Sequence, residues 1–264
     1  WLFINGNEQF STFDEEKYHE PLIHPAMSLT EQKGNILVLG GGEGLAVREI
    51  LKYKDVKTVT VIDLDPVMTD LAKHNPIITE INQNAMIDPK VNVINRDAFT
   101  FIEESEEFYD VIFVDLPDPN SVALSRLYSR EFYSLCQRRL NKYGIIVTQA
   151  SSPVHSPNSF VCIIKTMESA DFTVLPYHNN IPTLGEWGWC LGMRKEVVSN
   201  DTLKKKVTEV ELPPPPTRFL NKDAIVSMVN FGKGVLEKKE NVKVNTILDP
   251  IIVKYYKKGA WDVY

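Results

Sequence analysis

Residues 36–44, ILVLGGGEG, run a short apolar stretch directly into a glycine loop. LAVREILKY at 45–53 follows, with Leu45, Val47, Ile50 and Leu51 at helical spacing. An apolar run without polar alternation marks a strand buried on both faces. A strand of that kind feeding a helix through glycines belongs to a parallel βα unit, which requires helices on both sides of its sheet. The rest of the chain repeats the alternation. TVTVI at 58–62 reads as a second strand ending in Asp63, 66–75 as a helix opened by Pro66, and VNVI at 91–94 and DVIFV at 110–114 as two more strands. Residues 124–140 read as a helix closed by Asn141 and Gly144, and IIVTQ at 145–149 as a fifth strand. A helix at 158–170 and two last strands at 172–178 and 188–193 complete the series.

The fold this predicts is α/β, a methyltransferase-like Rossmann fold with a seven-stranded, mostly parallel sheet and right-handed crossovers. Its Rossmann-like domain spans residues 31–195. Ahead of it, 1–30 reads as an N-terminal β-hairpin segment, because LFINGNEQFST sets an Asn5-Gly6 turn signal between apolar alternations. Behind it, 196–264 reads as a linker and C-terminal extension: a polar stretch at 196–211, a stiff LPPPP at 212–216, one helix at 223–231 and a strand-like VKVNTIL.

Charge and cysteine usage narrow the partners. A net charge of −6 disfavours nucleic acid, which selects for a basic face. The three cysteines, Cys136, Cys162 and Cys190, are isolated and odd in number, which fits reduced thiols in a cytoplasmic protein better than a disulfide framework or a zinc site. No run approaches the ~18–20 apolar residues of a membrane span. WLFINGNEQF at 1–10 lacks the basic start and cleavage site of a signal peptide. With no initiating Met, the chain reads as part of a longer product, either cytoplasmic or the cytoplasmic domain of a membrane protein.

The glycine loop reads Gly40-Gly41-Gly42-Glu43-Gly44, a G-x-G-x-G spacing with Leu45 where a dinucleotide fingerprint needs glycine. That departure favours an adenosyl sulfonium over a pyrophosphate and disfavours a dinucleotide oxidoreductase. Asp63, at the end of the second strand, is placed to accept from both ribose hydroxyls, and Asp97, after the third, is placed to read the adenine. Glu43 faces whatever lies beyond the ribose. There a carboxylate can pair with an ammonium; the plainer reading is an acid favoured at a helix start. The fourth strand ends in Asp115-Leu116-Pro117-Asp118-Pro119-Asn120, a proline-stiffened anionic lip where such sheets keep their chemistry. One acid there can accept the proton of an amine while the other holds a second ammonium. A polar turn is the structural alternative. His155 and His178 lack partners at metal-ligand spacing, so no metal is expected.

Taken in order, these pieces resemble the spermidine synthase (polyamine aminopropyltransferase) family over residues 2–194, and especially its bacterial homologues with an upstream membrane region. The resemblance runs through Leu2-Phe3-Ile4-Asn5-Gly6 with Gln9, Asp14-Glu15, Tyr18-His19-Glu20, the GGGEG loop, Asp63-Leu64-Asp65, Asp97-Ala98, Asp115 to Pro119, Gln149 and Ile181-Pro182-Thr183. It implies that Gln9, His19, Glu43, Asp63 and Asp97, with Gly40, Gly42 and Gly44 in the loop, contact decarboxylated S-adenosylmethionine as co-substrate. It implies that Asp115 is the general base and that Tyr18, Asp118 and Gln149 hold a small-molecule amine, for which putrescine is the expected acceptor. A homodimer is implied as well. His19 has a second reading as a hairpin-packing residue, and His24 reads as structural.

The sequence departs from that family on the amine side. Leu116 and Pro117 stand where hydroxyl residues are usual, Asn120-Ser121-Val122 replaces a Gly-Pro gate, Glu43 replaces Asp, and Leu184 replaces a tyrosine, followed by Trp187 and Trp189. The acceptor is therefore left open. A methyltransferase acting with S-adenosylmethionine, and a non-catalytic polyamine- or nucleoside-binding domain of a membrane protein, are the alternatives.

Overall fold

The alternation folds into one seven-stranded sheet. The computed structural model describes residues 1–4, 7–212 and 217–261. Strands β1 (Leu2–Ile4) and β2 (Asn7–Phe10) pair as an antiparallel hairpin, and helix α1 (Glu16–Leu29) follows. Then come β3 (Asn35–Gly40), α2 (Leu45–Leu51), β4 (Thr58–Asp63), α3 (Pro66–His74), α4 (Pro76–Ile81), β5 (Val91–Asn95), α5 (Ala98–Glu104) and β6 (Tyr109–Asp115). The second half runs α6 (Val122–Ser125), α7 (Arg130–Arg139), β7 (Leu140–Gln149), α8 (Pro157–Ser169), β8 (Phe172–Ile181) and β9 (Gly185–Arg194). Helices α9 (Asn200–Glu209), α10 (Lys222–Met228) and α11 (Ile251–Lys257) form the C-terminal part.

Sheet order is β5-β4-β3-β6-β7-β9-β8, parallel except for β9, which runs against both its neighbours. Side chains of β3 point alternately into two cores. Ile36 and Val38 join the layer under α1 and α2, while Leu37 and Leu39 join the layer under α7 and α8. This two-sided burial is why ILVL carries no polar alternation. The order reverses between β3 and β6, so their carboxyl ends, Gly40 and Asp115, lie side by side at the switch point.

Three expectations change. The hairpin is confined to residues 2–10, and its Asn5-Gly6 turn lies outside the described residues. Tyr18 and His19 stand on α1, so the reading of His19 as a hairpin-packing residue is corrected. Two internal prolines, Pro21 and Pro25, hid this helix, since each removes an i→i−4 bond. The fold supplies the missing donors from β8. Without an N–H at Pro21 the carbonyl of Lys17 is left over, and Asn179 Nδ2 donates to it at 2.9 Å. Without an N–H at Pro25 the carbonyl of Pro21 is left over, and the Tyr177 hydroxyl donates to it at 2.9 Å. What prolines cost the helix is converted into its attachment to the sheet.

The second change is the stretch 124–140. It breaks into α6, a 3-10 turn at Arg126–Tyr128 and α7, because Ser121 and Ser129 each cap a fresh start. Strand β7 accordingly begins at Leu140 rather than 145. Third, VKVNTIL is not a strand. Asn245 there donates through Nδ2 to the carbonyls of Ser125 and Tyr128, takes the Ile252 N–H on its Oδ1, and gives its own N–H to Thr166 Oγ1. The extended segment is held by side chains and loop carbonyls instead of a neighbouring strand. Residues 213–216 of the proline run lie outside the described residues. Among the described residues no helix is long and apolar enough to cross a membrane. The three cysteines are buried, and no disulfide joins them.

Tyr177→Phe removes the donor to the Pro21 carbonyl and leaves a buried acceptor without a partner. The expected loss is about 1–3 kcal/mol of unfolding free energy, read by urea denaturation; an unchanged midpoint would show that the carbonyl finds another donor.

Candidate active site

Four carboxyl ends and one helix converge at the switch point. The glycine loop leaves β3 and folds back on β6, with Gly41 N–H donating to the Asp115 carbonyl at 3.1 Å. Gly40 sits at φ +89°, and a Cβ there would lie 1.9 Å from the Asp115 carbonyl oxygen. A Cβ on Gly42 would lie 2.6 Å from Asp63 Oδ2, the atom that accepts its N–H at 3.0 Å. Side chains at either position would push the loop off the strand ends. Gly44 is the residue before α2, its N–H bonded to the Gly41 carbonyl.

Asp63 ends β4 half-buried, with Oδ1 accepting the Asp65 N–H at 2.8 Å. Burial, together with the charge of Glu43, raises its pKa. Asp97 caps α5, accepting from Thr100 N–H at 2.9 Å, and its other oxygen pairs with Arg126, whose guanidinium lies over the Phe99 ring. Gln9 lies farther out, exposed on β2 of the hairpin that leads into α1.

Helix α1 brings Glu15, Tyr18 and His19 over the loop. His19 Nδ1 meets Glu15 Oε2 at 3.1 Å, and Nε2 faces Glu43 Oε1 at 3.6 Å. Burial pulls the imidazole toward neutrality, but bonds and charge from Glu15 and Glu43 outweigh it and raise its pKa to about 10. Burial likewise pushes Glu15 up, yet His19 and Arg48, whose Nη2 is 2.9 Å from Oε2, hold it well below the usual range. Glu43 Oε1 is buried and has no hydrogen-bond partner among the described residues. A buried carboxylate oxygen that is faced by an imidazolium at 3.6 Å but makes no hydrogen bond still favours the approach of a further cationic donor.

Asp115 and Asp118 form the lip. The Tyr18 hydroxyl donates to Asp115 Oδ1 at 2.6 Å. Burial and the Asp115 charge drive the Tyr18 pKa well above 10, so the phenol keeps its proton and acts as donor. Its ring packs edge-on to Trp189, which stacks on Tyr177. Burial first, and then Glu43, push Asp115 up to about 6 against the opposing pull of His19 and Tyr18. Burial pushes Asp118 up to about 6 against hydrogen bonds from Tyr256, Gln149 and Ser151. Gln149 is buried and holds the lip: its Nε2 donates to the Leu116 carbonyl at 2.8 Å and to Asp118 Oδ1 at 3.2 Å, and its Oε1 accepts the Ser151 N–H.

Tyr18, His19, Glu43, Asp63, Asp115, Asp118, Gln149 and the loop glycines are linked by these contacts, and Asp97 pairs with Arg126 at the start of α5. Sequence reasoning missed Glu15 and Tyr128 as parts of the site, and Tyr256 as well. The Tyr128 hydroxyl donates to the carbonyls of Leu116 and Pro117, both at 3.0 Å, so main-chain bonds steady the lip where Leu and Pro offer no hydroxyl of their own. Glu15 was signalled only by the Asp14-Glu15 pair, and the tyrosines by nothing local. His24 is structural as expected, bonded to Tyr53 and Glu49.

Ligand-capable atoms of His19, Glu43 and Asp115 lie within 4.8 Å of one another. Their side chains make the contacts described above, His19 with Glu15 and Glu43 and Asp115 with Tyr18. A second such group, Glu20, His24 and Glu49, is taken up by structural bonds, for Glu20 accepts three backbone N–H groups at 218–220 and Glu49 pairs with Arg48 and Lys52.

A family model for the spermine/spermidine synthase domain matches residues 15–205, and the chain belongs to that family. A polyamine aminopropyltransferase of Oceanobacillus iheyensis is 42% identical over 100% of this chain and 50% of its own length. One from Leptospira interrogans is 38% identical over 99% of this chain and 50% of its own. The chain thus spans about half the length of the curated relatives it matches. The crystal structure of a spermidine synthase from Thermotoga maritima superposes with a TM-score of 0.76 at 20% identity, covering 90% of this chain and 79% of that one. A spermidine synthase in complex with the transition-state analogue AdoDATO gives 0.79 at 20% identity, covering 91% and 80%. These two share the methyltransferase-like fold.

A folded pKa raised from 6.5 to about 10 means that His19 contributes stability fully below its unfolded pKa and loses it as pH rises through about 10. The His19 imidazole resonances should therefore hold their protonated positions from pH 6 to beyond pH 8 in an NMR titration. A midpoint below 7 would show that Glu15 and Glu43 do not hold the charge.

Proposed function

We propose that the chain transfers the aminopropyl group of decarboxylated S-adenosylmethionine to a small diamine, putrescine being the simplest acceptor, and releases methylthioadenosine. The observation that carries this reading is Glu43 Oε1, a buried acid oxygen of the glycine loop that makes no hydrogen bond among the described residues and is faced by His19 Nε2 at 3.6 Å. A nucleoside bound by Asp63 through its ribose hydroxyls would direct its chain toward that oxygen. The aminopropyl group ends in an ammonium alone, and Glu43 can take it. An ordinary S-adenosylmethionine would bring a carboxylate into a cluster that already holds Glu43, Asp63 and Asp115. The glycine cradle, which a Cβ would fill, fits the close approach of the nucleoside.

The amine would lie between the lip and the sulfonium. Asp118 would hold its far ammonium and Asp115 would take a proton from the attacking nitrogen, which needs a free lone pair. With its pKa near 6, Asp115 is a carboxylate at neutral pH yet a stronger base than an ordinary aspartate. Tyr18 fixes the orientation of that carboxylate through Oδ1. The nitrogen attacks the aminopropyl carbon next to sulfur, the carbon–sulfur bond breaks, and its electron pair neutralises the sulfonium to give the thioether. The proton leaves with Asp115. The chain supplies orientation and a site screened from water by Tyr18, Trp189 and the lip.

Asp115→Asn tests this. Turnover, followed as methylthioadenosine by mass, should fall about 10²- to 10⁴-fold, with affinity for decarboxylated S-adenosylmethionine kept. In the unaltered chain, turnover should drop as pH falls through about 6, where both lip acids protonate. Tighter binding of S-adenosylmethionine than of its decarboxylated form would overturn the reading in favour of methyl transfer.

A further inference from the structure

Glu15 is buried at the start of α1, and three side-chain donors meet on its carboxylate. Oε2 accepts from Arg48 Nη2 at 2.9 Å and from His19 Nδ1 at 3.1 Å. Oε1 accepts from Arg218 Nη2. Arg48 is itself fixed, bonded at 2.9 Å to both Glu49 and the Ile81 carbonyl. Arg218 comes from another part of the chain. It stands in the C-terminal extension, beyond the residues 15–205 that match the family model. Its second terminal nitrogen, Nη1, lies 3.7 Å from Glu16 Oε2.

The extension holds α1 in two separable ways. Its main chain at 218–220 is fastened by N–H groups that donate to Glu20 at 2.6–2.8 Å. The Arg218 side chain takes no part in that anchor and is half-exposed. A half-exposed ion pair adds little to the stability of a fold. Its consequence here is geometric. A carboxylate bonded on one oxygen can still turn about its terminal bond, and one bonded on both cannot. With Arg218 on Oε1, Oε2 stays on His19. The imidazole is then gripped at Nδ1 by the Glu15 carboxylate and by the Glu15 carbonyl at 2.9 Å, which aims Nε2 at Glu43. Glu43 Oε1 makes no hydrogen bond among the described residues, so the facing imidazole shapes its surroundings.

We propose that Arg218 is a positioning residue of the co-substrate site: by holding Glu15 Oε1 it keeps Oε2 on His19, and through His19 it sets Glu43 to receive the ammonium of the aminopropyl group. The C-terminal extension is thereby part of the co-substrate half of the site. That an ammonium arrives at Glu43 rests on the aminopropyl-transfer reading. The path from Arg218 through Glu15 to His19 rests on the contacts themselves.

The test is Arg218→Gln in the full chain, with two ligands measured by calorimetry. One is decarboxylated S-adenosylmethionine. The other is the propyl sulfonium analogue of methylthioadenosine, which keeps the nucleoside and the sulfonium and lacks the ammonium. The expected result is an affinity about 3- to 10-fold weaker for the first and unchanged for the second. In a His19→Gln background the same substitution should cost nothing more, since the path runs through His19. Equal affinity for decarboxylated S-adenosylmethionine with and without Arg218 would overturn the proposal. So would a parallel loss for both ligands, which marks a structural role, or a loss of full size in the His19→Gln background, which marks another route. An unaltered chain that binds both ligands equally would overturn the reading of Glu43 and take the proposal with it. A preference for the ammonium that Arg218→Gln leaves untouched sinks the proposal alone.

Discussion

The attachment of α1 to β8 is the interaction on which the site depends. One helix carries Tyr18, His19 and Glu20, with Glu15 as its N-cap, and each serves a different part of the molecule. Glu15 charges His19, His19 faces the glycine loop, Tyr18 holds Asp115, and Glu20 secures the C-terminal extension. A rigid-body shift of α1 would disturb all four at once. Its position is fixed by two carbonyls that Pro21 and Pro25 leave unbonded and that Asn179 and Tyr177 take up. A helix without those prolines would satisfy its own carbonyls and have two fewer directional ties to the sheet.

Charge explains what the site is built to receive. Glu43, Asp63 and Asp115 lie close enough for each to raise the cost of ionising another, and the His19 imidazolium faces them. Burial adds to that cost. The arrangement is therefore strained in the direction of cations, and an arriving sulfonium or ammonium would relieve it. Raised aspartate pKa values have the same sign of linkage as His19 at a lower pH: the protonated forms are favoured by folding, so each carboxylate weakens the fold as pH rises from its unfolded pKa through about 6. Stability given up to keep lip acids ionised at neutral pH is recovered when a cationic ligand binds.

Much of this was legible because parallel strands buried on both faces leave unbroken apolar runs, and because their carboxyl ends gather in space. ILVL with its glycines, TVTVI with Asp63 and DVIFV with Asp115 carry both signals within a few residues. Local rules failed where a long-range partner overrode them. Prolines argued against α1 until β8 supplied donors from more than a hundred and fifty residues away. VKVNTIL has the composition of a strand, but Asn245 commits its backbone to Thr166 and the turn before α7. Tyr128 acts through its hydroxyl on the lip, and a hydroxyl's direction is set by tertiary packing that no spacing encodes.

The departures on the amine side take on a common sense in this light. Leu116 and Pro117 remove hydroxyls from the lip, and the Tyr128 hydroxyl and Gln149 amide bond to their carbonyls instead, which fixes the main chain, while the same amide also reaches the Asp118 carboxylate. Leu184 removes a phenol from the loop after β8 and packs as an apolar residue against the core. A carboxylate keeps its charge when its donors are neutral, and it is indifferent to which element delivers them. For Asp118 the Gln149 amide at the end of β7 takes that part at 3.2 Å. The C-terminal extension is anchored through Glu20 on α1 and Asn245 beside α8. The helix whose Tyr18 holds Asp115 thus also holds the extension against the sheet.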